Sequence, residues 1–199
     1  MDFKWLTSIF CGQKGLPTTG EFIPDPQGVM CPVLDVNRID FTKAKAGRKK
    51  ELTYVRKALA GEKIEEVFEG GEETYGYKTK KGDAIFVNSP TDEYVPLGLH
   101  GERLKFEDLE ENGFHIVEDK GDIAYIQSPP GLLLVGVVTE RVCIRNAWGE
   151  EDALENHQFL SAGATLKLDR SGKITGMDKE GFKKWELLSD MPDGHKPTL

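Results

Sequence analysis

Residues 81–90 read Lys-Gly-Asp-Ala-Ile-Phe-Val-Asn-Ser-Pro, and residues 120–129 read Lys-Gly-Asp-Ile-Ala-Tyr-Ile-Gln-Ser-Pro. In both stretches the Gly-Asp pair favours a turn, the apolar residues after it favour a strand, and Ser-Pro favours the end of that strand. The sequence therefore predicts the same turn-and-strand element twice. An alternative stays open, because β-rich proteins reuse such turns and two stretches can agree by chance.

A longer layout also recurs along the chain. Residues 82–106 and 163–185 each run from a glycine through a strand, a turn and a second strand to a segment that carries Phe106 or Phe182. We therefore expect an α+β, β-rich fold in which two small antiparallel-sheet modules are each closed by a short helix. The predicted domains are an extended N-terminal segment at 1–47, a first module at 48–118 and a second module at 119–199.

The spacing of apolar residues predicts where the helices lie. In 51–60 the residues Leu52, Val55 and Leu59 have helical spacing, and Gly61 offers a C-terminal stop. Two further helices are expected, one over 104–112 with Phe106 and Leu109 turned inward, and one after Asp178 with Phe182, Trp185 and Leu188 on one face.

Three predictions concern strands and connections. Gly70-Gly71 favours a hairpin between strands at 63–69 and 73–79. Residues 132–144 favour one long or bent strand with a bulge at Gly136. The glycines and prolines within 12–32 follow no sustained period, which predicts an extended connector.

The first predicted module resembles the small uncharacterised bacterial and phage domains named for a PGDYG motif. The resemblance covers about residues 54–115, and a degenerate copy spans 140–188. Lys81 stands where the motif has a proline, and the second copy lacks the aspartate. The resemblance implies this turn, strand and aromatic-helix fold and a phage or bacterial origin, and it implies no chemistry. The matching residues are Lys81, Gly82, Asp83, Ile85, Glu93, Tyr94, Pro96, Phe106 and the segment 54–57.

Composition and charge exclude several classes of protein. The chain has 199 residues, 30% charged residues and a formal net charge of −8, which argues against a general nucleic-acid coat protein. No apolar run approaches the roughly 20 residues that a membrane-spanning helix needs. The three cysteines, Cys11, Cys31 and Cys143, are odd in number and widely spaced, so we expect a cytoplasmic protein without a disulfide framework.

Basic residues are concentrated in the segment 43–57, in which Glu51 is the only acid. In an acidic protein this local reversal of sign can steer phosphate groups, and a tyrosine there can stack on a base. The alternative is a solvated face that pairs with the acid-rich run from Glu62 to Glu73. The candidate binding residues in this segment are Arg48, Lys49, Lys50, Tyr54, Arg56 and Lys57.

Trp148 completes the set of candidate binding residues. It lies in a predicted loop, where an exposed tryptophan can anchor a partner or stack on a ligand, and packing against the protein is the alternative. His100 and His115 can act as acid or base near neutral pH. No nucleophile elbow, P-loop or dinucleotide-binding glycine pattern accompanies them. We therefore predict no catalytic residue, no metal ligand and no cofactor.

These observations favour a non-enzymatic binding or adaptor protein that recognises a protein partner or a small ligand. One form of this hypothesis is a phage-encoded protein that acts on a host system. Two alternatives stay open. The first is phosphate or single-stranded nucleic-acid binding through 43–57, which the acidic net charge disfavours. The second is a hydrolase or transferase that uses histidine and carboxylate side chains.

Overall fold

Strands dominate the computed structural model, which describes residues 15–67, 74–89, 91–145 and 157–191. The fold is β-rich and contains several antiparallel sheets. The strands are β1 (Thr18–Pro24), β2 (Met30–Leu34), β3 (Lys45–Lys49), β4 (Thr53–Lys57), β5 (Lys63–Val67), β6 (Thr74–Lys78), β7 (Ala84–Ser89), β8 (Asp92–Tyr94), β9 (His115–Asp119), β10 (Ile123–Gln127), β11 (Gly131–Leu134), β12 (Val142–Ile144), β13 (Gln158–Leu160), β14 (Thr165–Leu168), β15 (Ile174–Met177) and β16 (Trp185–Leu187). The helical elements of the described ranges are 3-10 turns at Val36–Arg38 and Phe106–Asp108 and the α-helix α1 (Lys179–Lys183).

The chain divides into two compact units that are interleaved in sequence. The first unit contains the described residues of 1–44, 133–167 and 174–182, and the second contains those of 45–132, 168–173 and 183–199. The predicted first module, 48–118, falls within the second unit. The residues of the predicted second module are divided between both units.

The strand β4 lies at the centre of the main sheet of the second unit, whose order is β8-β7-β4-β10-β9. It pairs antiparallel with β7 on one side and with β10 on the other, so Val55 stands opposite both Phe86 and Ala124. Thr53, Tyr54 and Val55 are residue types that fit a pleated, half-buried surface. Their pairing on both edges makes β4 the strand that joins the two halves of the sheet.

The predicted helix over 51–60 is wrong, and exposure shows why. A helix packed through Leu52, Val55 and Leu59 would bury all three side chains. Val55 is fully buried, but Leu52 is 45% exposed and Leu59 is 75% exposed. The backbone groups of this segment are satisfied by neighbouring strands, which overrides the apolar spacing.

The two faces of the main sheet bury different apolar clusters. Alternation along β4 places Val55 on one face and the side chains of Tyr54 and Arg56 on the other. On the second face Ile85 packs with Ala58 and Ile64. The first face carries the larger cluster, which consists of Val55, Ala84, Phe86, Leu104, Phe106, Leu109, Ala124 and Ile126.

The two Lys-Gly-Asp stretches supply the strands on either side of β4. Both β7 and β10 run antiparallel to β4, so the turns that precede them lie at the same end of the sheet. Gly82 and Gly121 have φ values of +84° and +85°, a backbone conformation that glycine adopts at little cost. The repeated sequence therefore brings two similar turns to the two sides of one strand end.

The registers of the two stretches differ by one residue. Arg56 stands opposite Ile85, the fifth residue of the first stretch, and opposite Ile123, the fourth residue of the second. A slip of one residue turns corresponding side chains to opposite faces of a sheet. Asp83 is consequently buried, whereas Asp122, at the matching position of the second stretch, is exposed.

Asp83 is a fully buried carboxylate that joins its own turn to the segment 103–105 of the second unit. Its Oδ1 atom lies 2.5 Å from the Nζ atom of Lys105, its Oδ2 atom lies 3.5 Å from Nη1 of Arg103, and the backbone N–H of Lys80 donates to Oδ2 at 2.8 Å. Burial by itself raises the pKa of Asp83. The hydrogen bonds and the two cations outweigh burial, so the pKa lies below its ordinary value of 3.8.

We expect Asp83→Asn to lower the free energy of unfolding by about 1–3 kcal/mol at pH 7, because a buried charge-assisted hydrogen bond is lost. The folded-state pKa is lower than the unfolded one, so the carboxylate stabilises the fold above the unfolded pKa and loses this effect as pH falls through the folded pKa. Chemical denaturation of the wild type and of Asp83→Asn between pH 7 and pH 2 should show a constant difference in the free energy of unfolding above about pH 5. This difference should become smaller below about pH 4. A difference that grows as the pH falls would contradict this role.

Two predicted helices are shorter than expected. Lys105 has extended backbone and forms an isolated β-bridge with Asp83, so the segment 104–112 contains only the 3-10 turn at Phe106–Asp108. Phe106 and Leu109 are buried as predicted. The helix after Asp178 ends at Lys183, and Trp185, expected on that helix, lies on β16 opposite Lys49 of β3.

Other strand predictions agree with the structure in part. The two strands of the predicted hairpin at 63–79 are present as β5 paired antiparallel with β6, and the predicted turn at Gly70-Gly71 lies outside the described residues. The single strand expected over 132–144 is wrong, because β11 and β12 are separate and Gly136 lies between them with φ +62°. Glycine at positive φ favours a turn at that point.

The first unit contains a four-stranded sheet of order β1-β2-β12-β13. Residues 18–34, which overlap the predicted connector at 12–32, form its β1–β2 hairpin. Asp25 closes the turn, since its Oδ1 atom accepts backbone N–H groups of Gln27 and Val29 at 2.8 and 2.9 Å and Oδ2 lies 2.5 Å from Nη2 of Arg141. Side-chain oxygens in this position commonly replace backbone acceptors in turns.

Candidate ligand-binding cleft

A cleft of about 520 Å³ opens in the second unit where β4 ends. This volume lies within the range of small-molecule sites. Three segments of the chain form its walls: the end of β4 and the residues after it, the turn before β7 and the turn before β10. The lining residues are Tyr54, Arg56, Lys57, Ala58, Leu59, Ala60, Lys81, Asp122 and Ile123.

Backbone hydrogen bonds hold these three segments together. The N–H of Lys57 donates to the carbonyl of Asp122 at 2.8 Å, which joins β4 to the turn before β10. The N–H of Gly82 donates to the carbonyl of Ala58 at 3.1 Å, which joins it to the turn before β7. The buried hydroxyl of Thr79 donates to the carbonyl of Leu59 at 2.8 Å. The cleft is therefore built on fixed backbone, as a preformed site requires.

Lys57 and Lys81 bring two positive charges to the cleft. Neither ammonium group forms an ion pair with any residue that the structure describes. The Cε atom of Lys57 lies 4.0 Å from the point where a Cβ atom of Gly82 would stand, so its side chain runs over the turn that contains Lys81. These two cations are therefore available to an anionic ligand that enters the cleft.

Arg56 lines the same cleft, but its charge is already balanced. Its Nε and Nη2 atoms donate to the two carboxylate oxygens of Glu93 at 3.1 and 2.7 Å, and Nη2 lies 2.5 Å from Oε1 of Glu62. These hydrogen bonds raise the pKa of Arg56, and the guanidinium holds the pKa of Glu62 below its ordinary value. Arg56 thus acts as a structural cation between two carboxylates.

Tyr54 contributes an aromatic ring whose position is braced. It stands opposite Tyr125 on β10, and the two rings meet edge to face with centroids 5.5 Å apart and an interplanar angle of 62°. The Nζ atom of Lys120 lies 5.2 Å from the centroid of the Tyr125 ring. Aromatic pairs of this geometry stabilise both rings, so Tyr54 is held as a surface on which a flat ligand can stack.

The other candidate residues of the basic segment lie outside the cleft. Arg48 is buried on β3, and burial lowers its pKa while Glu186 opposes this effect. Lys49 pairs with Glu51, and Nζ of Lys50 donates to the carbonyl of Lys183 at 3.0 Å. The structure thus brings together only Tyr54, Arg56 and Lys57 of the six candidates in 43–57.

Trp148 lies outside the described residues. His100 and His115 are both exposed, His100 in a turn and His115 on β9. Among the described residues no group of three or more His, Cys, Asp or Glu side chains is placed to hold a metal ion. Cys31 and Cys143 are fully buried, and burial together with the neighbouring thiol raises the pKa of Cys143 to about 11. A thiol in such surroundings is protonated near neutral pH.

Sequence reasoning missed several residues of the cleft, above all Lys81, Asp122 and Ile123. A signal for two of them was present, because Lys81 and Asp122 belong to the two Lys-Gly-Asp stretches. The missing information was the strand order: only when β7 and β10 flank β4 do these turns lie beside Lys57. Ala58 and Ala60 gave no signal, since small apolar residues are common everywhere in a chain.

Comparisons with protein-family models, with curated proteins and with solved structures gave no significant match. Within the described ranges, no helix combines the length and hydropathy needed to cross a lipid bilayer.

We expect Arg56→Met to lower the free energy of unfolding by about 1.5–3 kcal/mol at pH 7, because Glu62 and Glu93 lose their shared cation. Since Arg56 lowers the pKa of Glu62, its stabilising effect is full above the unfolded pKa and disappears as pH falls through the folded pKa. Denaturant titrations of both proteins at pH 7 and pH 4 should therefore show that Arg56→Met loses less free energy of unfolding, relative to the wild type, at pH 4 than at pH 7.

Arg38→Met is the matched control, because it removes an exposed arginine of the 3-10 turn at Val36–Arg38. We expect it to change stability by less than about 0.5 kcal/mol. Equal effects of the two substitutions would show that the Arg56 network contributes nothing beyond an ordinary surface charge.

Proposed function

We propose that the protein is a non-enzymatic binding protein that takes a small anionic ligand in the cleft at the end of β4. The observation that carries the proposal is the contrast between its cations: Arg56 is held by two carboxylates, whereas Lys57 and Lys81 have no ion pair within the described part of the chain. Unpaired ammonium groups beside a preformed cavity are available to an anionic ligand.

Charge and shape support a small ligand over a large surface. Overall the chain carries a net charge of −8, but the lining contains Arg56, Lys57 and Lys81 against one acid, Asp122. Ala58, Ala60 and the side chain of Ile123 give the remaining walls an apolar character. Small-molecule sites typically combine such apolar walls with a few placed polar groups.

Single-stranded nucleic acid is the second candidate, and one observation favours it. Tyr54 and Lys57 of the basic segment line the same cleft as Lys81, so one aromatic residue and two cationic residues border it. The burial of Arg48 and the pairing of Lys49 with Glu51 shorten the basic surface that a strand could follow. The small ligand therefore remains the main proposal.

Other parts of the proposal rest on the sequence alone. These are a protein partner as an alternative to the ligand, an enzymatic role for His100 or His115, a phage or bacterial origin, and a cytoplasmic location. The two-module arrangement with closing helices, and the tandem repeat behind it, belong to the same group. Binding through Arg48, Lys49, Lys50 and Trp148 is likewise a prediction from sequence.

Substitution of the two lysines tests the proposed function. Ribose 5-phosphate at low ionic strength should shift the backbone amide NMR signals of residues 57–60, 81–82 and 122–123. We expect Lys57→Met/Lys81→Met to weaken this binding about tenfold, since each charge contributes roughly 0.5–1 kcal/mol at an exposed site.

The matched control is Lys63→Met/Lys80→Met, which changes the net charge equally through two exposed lysines outside the cleft. It should leave the affinity within about twofold of the wild type. If the control weakened binding as much as the cleft variant, or if about 10 mM ribose 5-phosphate shifted no cleft amide, the proposed function would be wrong.

A further inference from the structure

We propose that Tyr125, Tyr54 and Glu118 form a binding site for a quaternary ammonium group, in which the side chain of Lys120 is the internal occupant. This site goes beyond the proposed function, because it takes a ligand of the opposite charge and uses neither lysine of the cleft. Its ligand chemistry is a trimethylammonium group, which a small compound such as choline or a methylated lysine side chain of another protein supplies.

Strand register places these side chains on one face of the main sheet. Tyr125 of β10 stands opposite Tyr54 of β4 on one side and opposite Glu118 of β9 on the other. Residues directly opposite each other in antiparallel strands point to the same face. Lys120 follows Glu118 by two positions, and its backbone N–H donates to the carbonyl of Ile123 at 2.8 Å. Alternation along the chain therefore returns Lys120 to the face that carries Tyr125.

The position of Lys120 shows that this face accepts a cation. Its Nζ atom lies 5.2 Å from the centroid of the Tyr125 ring and 3.1 Å from Oε1 of Glu118. The hydrogen bond to Glu118 is the main cause that raises the pKa of Lys120, and Tyr125 and Tyr54 act in the same direction. The face of an aromatic ring attracts a cation within about 6 Å of its centroid. A ring and a carboxylate thus act together on one positive charge.

The two tyrosine rings give the site a shape that suits methyl groups. Their centroids are 5.5 Å apart and their interplanar angle is 62°, so the rings form a corner instead of a flat platform. Ile123, two positions before Tyr125 on the same face, adds a half-buried aliphatic side chain. Aromatic corners of this kind are a common means of binding choline or methylated lysine.

An external ligand can displace Lys120 from this site. The side chains of Lys120 and Glu118 are 53% and 54% exposed, and ion pairs at such positions contribute little. The lysine ammonium is a strongly hydrated point charge on a flexible stem, so it can move into solvent at low cost. A quaternary ammonium group has no N–H donors to satisfy, so it loses less hydration than a lysine ammonium when it contacts a ring.

Titration of the full chain with choline tests the site, and 3,3-dimethylbutan-1-ol is the matched ligand because it has the same shape without the charge. At constant chloride concentration, choline should shift the amide NMR signals of residues 54, 118, 120 and 125. We expect the neutral compound to bind at least about fivefold more weakly, because it lacks the attraction of a cation to the rings and the carboxylate.

Removal of the internal occupant gives the sharpest expectation. Lys120→Gln should strengthen choline binding about fourfold, since the ligand no longer competes with an ammonium group for the Tyr125 ring. Lys63→Gln is the matched control, because it changes the net charge equally at an exposed lysine of β5. It should change the affinity for choline by less than about twofold.

Variants of the ring and the carboxylate test the two attractive groups separately. Tyr125→Leu should weaken choline binding at least about fivefold, whereas Tyr125→Phe, which retains the ring, should stay within about twofold of the wild type. Circular dichroism checks that Tyr125→Leu folds. In the Lys120→Gln background, Glu118→Gln leaves both rings in place and should weaken choline binding about threefold.

The outcomes decide the inference independently of the proposed function. Equal affinities for choline and its neutral isostere, or no gain from Lys120→Gln, would overturn it. Absence of shifts at the four residues with about 50 mM choline in both the wild type and Lys120→Gln would overturn it as well. Tighter binding of a trimethyl-lysine peptide than of choline would support the site and assign it to a protein side chain, and the reverse order would support a small compound. Ribose 5-phosphate binding at the cleft tests the proposed function alone.

Discussion

Pairing of β4 on both edges is the constraint on which the second unit depends. Val55 faces Phe86 and Ala124 at once, so the same strand closes the larger apolar cluster and fixes the positions of β7 and β10. Because both neighbours run antiparallel to β4, the turns before them must lie beside its end. The cleft is a direct consequence, since its walls are these two turns and the residues that follow the strand.

Electrostatics divides the charged residues near β4 into two groups. Asp83, Arg56 and Glu93 are half-buried or buried and satisfy one another or nearby partners, so their charges support the fold. Lys57 and Lys81 line the cleft without such partners among the described residues. Buried charges are costly unless paired, whereas exposed ammonium groups stay hydrated and free to meet an anion. The site uses the second group and depends on the first for its shape.

Local sequence predicts much of the strand content but little of its arrangement. The Lys-Gly-Asp turns correctly mark the starts of β7 and β10, because glycine at positive φ and a following apolar run are local properties. The order β7-β4-β10 and the register slip depend on contacts between distant residues, which no short pattern encodes. Leu52, Val55 and Leu59 mislead for the same reason: their spacing suits a helix, but partners on both sides select a strand. Of the candidate site residues, Tyr54, Arg56 and Lys57 reach the cleft, and Lys81 and Asp122 were recognisable only as turn residues.

The most direct test of this account is the backbone NOE pattern of residues 51–60 in the isotope-labelled protein. The account predicts cross-strand backbone NOEs from Val55 and its neighbours to both Phe86 and Ala124, with amide protons of β4 protected from exchange. Medium-range NOEs between residues three apart over 51–60, which are typical of a helix, would contradict it. Cross-strand NOEs to only one of the two partners would contradict it as well. Either result would separate Lys57 from the turns that contain Lys81 and Asp122.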